Sequence, residues 1–387
     1  MMRNGSPRIA PVSGRPAWRD FIALPWTLYA DDPAWIPPLR LERSQHLSPR
    51  NPFFRHARWQ AWLAREGERA VGRISAQIDQ LFLEHQGERQ GERHGRPCGY
   101  FGMLEARDAS VLAALLETAE AWLRQQGMRA VRGPFNLSIN EECGLLVDGF
   151  DTPPYIMMGH ALPWYGKAVE DAGYRGIKDL LAYRIHSSFP IPPVMDKLLN
   201  RTRRRATLRP LNRKRLREDL EVLRDIFNDA WSGNWGFVPF TAAEFFEIGR
   251  MLTLLVDDDF VQIAEVDGSP AAFMVALPNI NEAIADLDGR LFPLGWLKLL
   301  WRLKVRYPAT ARIPLMGVRR RFHNSFLGPG LAFLVIEAVR NAVVRRGIGD
   351  VEMSWILEDN EGMRNIIETL GGVAYKRYRL YEKPLDD

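Results

Sequence analysis

The strongest constraint in this sequence is an order of elements that occurs twice. Each half ends with a helix closed by glycine, a strand, a second helix closed by glycine, and a final strand. The closing glycines are Gly127 and Gly173 in the first half, and Gly347 and Gly371 in the second. Glycine commonly follows the last helical residue because it adopts positive φ without steric cost. The repeated order predicts two tandem copies of one unit.

Hydrophobic periodicity supports this assignment. Residues 110–127 and 331–342 keep apolar side chains at helical spacing. Alternating runs on either side of Gly67 predict a β-hairpin in the first half, and a second hairpin turns at Asp267 and Gly268. The predicted fold class is therefore α/β (α+β), with a mixed sheet flanked by helices in each half.

The two halves differ in one length. Gly173 follows Gly127 by 46 residues, whereas Gly371 follows Gly347 by only 24. The first half therefore carries a loop-like insertion of roughly 22 residues, which includes 134–155. The predicted organisation is an N-terminal tail over 1–19, a first domain over 20–190, a basic linker over 191–217 and a second domain over 218–387.

Composition argues against several classes of protein. Hydrophobic residues make up 46% of the chain, but no apolar run is long enough to span a membrane. The first residues lack the apolar stretch of a signal peptide. Cys98 and Cys143 are the only cysteines, and they form neither a disulfide framework nor a zinc spacing. We expect a cytoplasmic protein that holds no metal.

Positive charge is concentrated in one segment. The formal net charge is +5, and residues 201–217 contain nine Lys or Arg and no acidic residue. Such a segment is usually a solvated surface, but it also fits an anionic membrane or the phosphates of a cofactor. Nucleic acid is the least favoured partner, because no recognition helix, zinc finger or RNA-binding motif is present.

A glycine loop in the second half indicates a phosphate site. Residues 319–330 combine three arginines with Gly328 and Gly330 at the start of a helix. Backbone N–H groups at a helix start bind anions, and glycine lets a ligand approach the backbone closely. The alternative is a loop that only caps a core helix.

These elements resemble the GNAT acyltransferase superfamily. The second half matches it in the strand at 313–318, the glycine loop and its helix, the strand at 351–360 and the helix at 361–372. The first half resembles a degenerate copy, because "MLEARDAS" replaces the glycine loop with an acidic segment. Both copies, with "NPFFRHA" and "RGPFNLSINEECGLL", resemble a bacterial double-GNAT acyl-CoA N-acyltransferase family that includes bacterial ceramide synthases.

The resemblance implies that acyl-CoA, the acyl donor, binds to the second half. Its pantetheine arm would pair with a strand, and its pyrophosphate would lie at the helix start. The residues implied in binding are Leu315, Met316, Gly317, Val318, Arg321, Gly328, Gly330 and Asn360. Capping of a helix is the alternative role of Asn360.

Three positions depart from the superfamily pattern. Ser325 stands where Gln or Arg is usual, and Pro329 removes one N–H from the loop. Ile367 occupies the place of a tyrosine that often protonates the leaving thiolate. The chemistry of the second half therefore differs from the usual arrangement.

An amine must lose a proton before it attacks a thioester, so a general base is expected. Glu141 and Glu282 are candidates because each follows an asparagine within an apolar stretch. His160 and His323 are further candidates, although a single histidine is more often structural. Tyr165 is a candidate for the missing acid, with a place in the core as its alternative.

Residues 289–308 belong to no element of a plain GNAT core. Their apolar side chains cover most of a short helix, and Lys298, Arg302 and Arg306 follow at intervals of four. Tryptophan and leucine beside a basic stripe are typical of a helix that lies in a membrane interface. A buried helix with one solvated edge is the alternative.

The sequence therefore predicts a peripheral enzyme that transfers an acyl group from acyl-CoA to a long-chain, sphingoid amine. An anionic surface on the inner face of the cytoplasmic membrane would be its partner. The alternatives are an acetyltransferase for a small soluble amine and a non-catalytic protein that binds acyl-CoA or a membrane.

Overall fold

The computed structural model describes residues 7–89, 96–253 and 256–385, which divide into two units. Unit 1 is built from the described residues up to 180, from 284–293 and from 376–385. Unit 2 is built from the described residues of 181–283 and 294–375. Each unit contains a mixed sheet with helices packed on it, as the sequence predicts.

The strands are, in chain order, β1 (Arg8–Pro11), β2 (Ala57–Glu66), β3 (Arg69–Asp79), β4 (Cys98–Ala106), β5 (Ala130–Gly133), β6 (Phe135–Asn136), β7 (Glu142–Cys143), β8 (Leu145–Asp148), β9 (Arg175–His186), β10 (Ala206–Pro210), β11 (Val261–Val266), β12 (Ser269–Pro278), β13 (Thr310–Val318), β14 (Asp350–Leu357) and β15 (Val373–Pro384). The helices are α1 (Gly14–Leu28), α2 (Arg40–His46), α3 (Gln80–Arg89), α4 (Ala109–Gln125), α5 (Tyr165–Asp171), α6 (Pro193–Thr202), α7 (Leu216–Trp231), α8 (Ala242–Thr253), α9 (Ile280–Ile284), α10 (Gly295–Trp301), α11 (Leu327–Arg345) and α12 (Glu361–Thr369).

The units differ from the predicted domains in several places, and 181–190 and 284–293 each fall in the unit opposite to their predicted domain. The predicted tail over 1–19 contains β1 and the start of α1, while residues 1–6 lie outside the described residues. The predicted linker over 191–217 contains α6 and β10, which belong to unit 2. The end of the last strand, from 376, belongs to unit 1, where it pairs with β5 and β8. Such pairing joins residues far apart in the chain, so local patterns do not predict it.

Unit 1 orders its strands β1-β2-β3-β4-β5-β15. The hairpin of β2 and β3 turns at Gly67, whose φ of 56° is the left-handed conformation that glycine adopts most easily. Helix α4 packs on β3 and β4 with one apolar face. The fully buried members of that face are Val111, Leu112, Leu115, Leu116, Ala119 and Leu123. These residues recur at the helical spacing from which the sequence predicts this helix.

Unit 2 orders its strands β9-β14-β13-β12-β11-β10. Helix α11 packs mainly on β11, β12 and α6. By length and composition α11 is apolar enough to cross a membrane, but 61% of that window is buried inside the protein. Its apolar composition is therefore that of a core helix packed against a sheet.

Candidate functional site

Strands β13 and β14 diverge in unit 2. Their parallel pairing covers Thr310 to Ile313, and no further pair joins them among the described residues. The partner strand β12 continues along β13 as far as Val318, with a change of register opposite Pro314. Because β14 separates from β13 while β12 does not, one edge of β13 faces a gap in the sheet.

A cavity of about 650 Å³ fills this gap. Of the four residues predicted to lie beside pantetheine, Met316, Gly317 and Val318 line the cavity from β13, whereas Leu315 is not among its lining residues. Most other lining side chains are apolar and come from α7, α11, α12 and β14. A mainly apolar cavity with a few polar groups is the usual form of a small-molecule site.

The glycine loop opens helix α11, but its two glycines have different surroundings. Gly328 lines the cavity, and its N–H donates to the carbonyl of Ser325 at 3.2 Å. Gly330 packs instead on α6, where an added Cβ would meet Thr202 Oγ1 at 2.0 Å. Glycine is therefore required at 330 by helix packing, and the structure does not assign this residue to the cavity.

Arg321 and Asn360 have local contacts that limit their predicted roles. The Arg321 guanidinium lies 4.9 Å from the Phe322 ring, and Arg321 is not among the lining residues. Asn360 does line the cavity, and its Oδ1 accepts the Met363 N–H at 3.1 Å. Asn360 therefore caps α12, which is the alternative role, while it faces the cavity.

Of the predicted catalytic residues in unit 2, His323 is beside the cavity and Glu282 is not. The Nε2 atom of His323 lies 2.7 Å from the carbonyl oxygen of Val318, which holds the imidazole at the end of β13. Glu282 is exposed and accepts the Ala309 N–H at 2.8 Å together with the Thr310 hydroxyl. Its carboxylate therefore fixes the turn before β13.

A buried ionic network, which no local sequence pattern indicates, supports β13 and β14. The Arg312 guanidinium donates to Ser354 Oγ at 2.9 Å and lies 3.8 Å from Glu352. Ser354 donates to Glu352 at 2.6 Å, and Tyr375 also hydrogen-bonds that carboxylate. Arg312 and Glu352 are at most 2% exposed. Because buried charges need such partners, the network fixes the strands where they begin to diverge.

Unit 1 has the same divergence, but its own chain fills the gap. Strands β4 and β5 pair only from Cys98 to Tyr100 among the described residues. Beyond that point the insertion runs beside β4, and Asn136 Oδ1 accepts the Met103 N–H at 2.8 Å. An added Cβ on Gly102 would meet the carbonyl oxygen of Phe135 at 1.9 Å. The segment at 135–137 is called the plug below.

The predicted residues of unit 1 lie in a polar cluster beside this plug. Glu141 Oε2 lies 3.0 Å from His46 Nε2, and its side chain is 11% exposed. Tyr165 is fully buried, and its hydroxyl donates to the carbonyl of Ala106 and accepts that residue's N–H, both at 2.8 Å. Burial raises the pKa of Tyr165 well above its usual value. These are the contacts of a structural tyrosine.

Burial and neighbouring charges set the other pKa values of the cluster. Burial raises the pKa of Glu105 to about 6, against the opposing effects of Arg73 and of hydrogen bonds from Tyr29 and Tyr165. Burial also favours a raised pKa for Glu142, but nearby cations, Arg43 first, outweigh it and hold that pKa below its usual value. The cluster therefore holds carboxyl groups of different proton affinity.

His160 lies in unit 1 and forms a pair with Asp32. Its Nε2 atom is 2.7 Å from the Asp32 carboxylate, and its side chain is 3% exposed. Burial lowers the pKa of His160, against the opposing effect of Asp32. No local sequence pattern indicates this pair, since 128 positions separate the two residues.

No group of three or more His, Cys, Asp or Glu side chains is placed to hold a metal ion in the described part of the chain. Both cysteines are buried and unpaired with each other. The arrangement offers a cavity for an organic ligand, with a histidine and backbone groups beside it.

Two curated proteins are similar to this chain along almost its whole length. Protein YghO of Escherichia coli (strain K12) is 53% identical over 367 residues, which cover 94% of this chain and 92% of that protein. Bacterial ceramide synthase of Caulobacter vibrioides (strain NA1000 / CB15N) is 46% identical over 385 residues, with coverage of 99% and 98%. No family profile matches the chain.

Solved structures share the fold. A tandem GNAT protein from the clavulanic acid biosynthesis pathway matches with a TM-score of 0.54 at 14% identity, and the match covers 98% of this chain and 99% of that one. The glucosamine N-acetyltransferase region of a fungal GH3 β-N-acetylglucosaminidase matches with a TM-score of 0.59 at 12% identity, over 98% of this chain and 38% of that one.

The duplicated sheet agrees with the fold of the tandem GNAT structure. The chain belongs to the bacterial double-GNAT family of acyl-CoA N-acyltransferases that includes bacterial ceramide synthase.

Proposed function

We propose that this enzyme transfers an acyl group from acyl-CoA to a long-chain, sphingoid amine at the cytoplasmic face of a membrane. The relative at 46% identity carries the name bacterial ceramide synthase, which supports an amine of this class. The observation that carries the proposal is an exposed apolar segment of unit 2. We call residues 294–306 the apolar segment.

The apolar segment exposes large side chains to solvent. Helix α10 contains no buried residue, and Trp296, Leu297, Leu300 and Trp301 are each about half exposed, from 46% to 51%. Val305 is 68% exposed. The alternative of a buried helix with one solvated edge does not fit these values. Contiguous exposed apolar surface of this kind usually marks a protein or membrane contact.

The charges of the apolar segment favour a membrane. It contains Lys298, Lys304 and Arg306, all exposed, and no acidic residue. Arg302, the fourth cation, donates instead to the carbonyl of Ala283 at 2.8 Å and anchors the segment. Exposed cations beside tryptophan and leucine suit the boundary between anionic headgroups and acyl chains.

The basic stretch at 201–217 supports the membrane less than the sequence suggests. Arg209 lies 2.7 Å from Glu265 and 2.9 Å from Asp219, and Arg213 pairs with Asp258. Arg203 pairs with Glu337 on α11. Because much of this charge is matched within unit 2, the membrane proposal rests on the apolar segment.

The proposed reaction needs one proton transfer and one leaving group. The amine nitrogen attacks the thioester carbon, the nitrogen loses a proton, and coenzyme A leaves as a thiolate that takes up a proton. His323 is the proposed base, because it is the predicted catalytic residue that lines the cavity.

Replacement of His323 by Gln tests this role. We expect kcat to fall at neutral pH while the affinity for acyl-CoA is kept, and we expect partial recovery at higher pH, where more amine is already neutral. Steady-state kinetics over pH and calorimetry with acyl-CoA measure the two effects. An unchanged kcat would contradict the assignment.

A liposome assay tests the substrate class. Purified protein is given hexadecanoyl-CoA and sphinganine in vesicles that contain phosphatidylglycerol, and released thiol is measured. The paired change Leu300→Glu with Trp301→Glu should abolish vesicle binding and turnover of sphinganine. Val373→Glu, at an exposed apolar residue outside the segment, is the matched control and should leave both unchanged.

Charge reversal and added salt give a second test of membrane binding. Lys304→Glu with Arg306→Glu should weaken binding to anionic vesicles, since each cation near such a surface contributes about 1 kcal/mol and salt screens it. Rapid acetylation of a soluble amine by a protein that ignores vesicles would favour the small-amine acetyltransferase. Binding of acyl-CoA without any thiol release would favour a non-catalytic protein.

A further inference from the structure

Helix α11 presents one continuous face to the cavity of unit 2. The cavity is lined by Gly328, Ala332, Ile336, Val339 and Val343, which follow one another at intervals of three or four. Residues at this spacing lie on one side of a helix. From Gly328 to Val343 the helix rises about 22 Å, at 1.5 Å per residue. The cavity therefore runs beside nearly the full length of α11.

The two ends of this cavity differ in polarity. His323, Asn360 and the backbone of Gly317 lie at the end where α11 begins. The far end is lined mainly by buried apolar residues, each at most 7% exposed: Ile185, Val339, Val343 and Val351. The polar groups of Ser187 and Arg340 there donate to the backbone carbonyls of Ile348 and Phe189. A pantetheine arm carries amide groups that lose hydrogen bonds in an apolar place, whereas an alkyl chain has none to lose.

A stacked pair lines the same part of the cavity. The Arg340 guanidinium lies 4.9 Å from the Phe189 ring and donates to that residue's carbonyl at 2.8 Å. Both residues line the cavity. The contact with Phe189 holds the Arg340 side chain in place beside Val339 and Val343.

From this geometry we infer that the far end of the cavity holds the acyl chain of a long-chain acyl-CoA, and that Val339 and Val343 set the longest chain accepted. This inference rests on the proposed function for the identity of the donor. It adds the position of the acyl chain and the residues that limit its length. Neither depends on which amine accepts the acyl group.

The test measures binding of CoA, octanoyl-CoA and hexadecanoyl-CoA by calorimetry without any amine. Val343→Phe should weaken hexadecanoyl-CoA by tenfold or more, because each displaced methylene loses about 0.8 kcal/mol of burial, or roughly fourfold in affinity. Octanoyl-CoA and CoA should bind as they do to the unchanged protein. Val344→Phe is the matched control, since Val344 is its neighbour in sequence but 40% exposed.

A smaller side chain at this position should have the opposite effect on chain preference, and it does not risk misfolding through overpacking. Val343→Ala lengthens the far end, so chains longer than hexadecanoyl should gain affinity relative to octanoyl. Equal loss for CoA and both acyl-CoAs in Val343→Phe would overturn the inference, as would unchanged chain preference in Val343→Ala. Because these readings need no acceptor, they stay valid if sphinganine proves not to be acylated.

Discussion

The two units contain the same divergence of strands and use it differently. In unit 2 the gap beyond Ile313 is a cavity of about 650 Å³, whereas in unit 1 the plug at 135–137 lies in the gap. The plug is hydrogen-bonded to the strands around it, since Gln77 Nε2 donates to the carbonyls of Phe135 and Leu137 at 2.7 and 2.8 Å. One copy of the fold thus keeps room for a ligand, and in the other the plug occupies the gap and the Asn136 side chain bonds the open strand.

The starts of α4 in unit 1 and α11 in unit 2 also differ. In unit 1 two residues separate β4 from α4, and the carboxylate of Asp108 accepts the N–H groups of Ser110 and Val111. Partial burial opposes ionisation, but these hydrogen bonds and Arg107 hold the pKa of Asp108 at about 2. In unit 2 eight residues separate β13 from α11, and the first turn of α11 contains no acidic side chain. The first helix start is therefore capped by a charged carboxylate, whereas at the second the neutral Ser325 accepts the N–H groups of Leu327 and Gly328.

The largest expected effect comes from a change that displaces the plug. Gly102→Val places a side chain where the Phe135 carbonyl lies at 1.9 Å from the added Cβ, so the strand and the plug cannot both keep their positions. We expect a loss of about 3 kcal/mol in the free energy of unfolding, as for severe overpacking. Urea denaturation followed by tryptophan fluorescence measures it.

Gly233→Ala serves as the control for this change. No heavy atom lies within 4 Å of an added Cβ at Gly233, so its stability should match that of the unchanged protein. If Gly102→Val is equally stable, the plug moves freely, and the contrast between a filled and an open gap fails.

An effect of middle size, on the affinity for acyl-CoA, is expected from placing at the start of α11 a carboxylate like that of Asp108 at the start of α4. Phe326 precedes the first residue of α11 and is 89% exposed, so its replacement should not disturb the core. Phe326→Asp should lower the affinity for acyl-CoA about tenfold, because a carboxylate at the helix start competes with the anionic donor. Calorimetry with acyl-CoA at low salt measures the change.

Phe326→Asn is the neutral control, since it has nearly the same shape as Asp. It should bind acyl-CoA within about twofold of the unchanged protein, because only the charge differs. Equal affinity in the Asp and Asn variants would show that the pyrophosphate does not lie at the start of α11.

The smallest expected effect concerns the polar cluster of unit 1. The pKa of Glu105 is raised from 4.5 to about 6, so the folded protein holds this proton more tightly than the unfolded chain. The contribution to stability is therefore full below 4.5 and is lost as the pH rises through about 6. Glu105→Gln removes this dependence and should be more stable than the unchanged protein near pH 7 by about 1 kcal/mol.

Urea midpoints of both proteins at about pH 4 and about pH 7 test this prediction. The two should converge at the lower pH, where Glu105 is protonated in both the folded and unfolded states. A difference that stays constant over this range would assign the effect to packing and hydrogen bonds of Glu105 with Tyr29, and not to its ionisation.

The sequence by itself determined the parts that depend on local pattern. Helical periodicity predicted α4 and α11, and glycines at the turns predicted both hairpins, because one face of each element must be buried. The missing glycine loop of the first half also followed from sequence, since "MLEARDAS" leaves no residues for it. The duplicated fold and the family are confirmed by the relatives.

Tertiary structure alone decided the roles of single residues. Gly330 matches the glycine loop in sequence, yet Thr202 from another helix requires the glycine. Glu141 and Glu282 look alike in sequence, but one lies beside His46 in a largely buried cluster and the other fixes an exposed turn. Contact partners far along the chain made these differences, and no local pattern records which distant side chain will fill the space beside a residue.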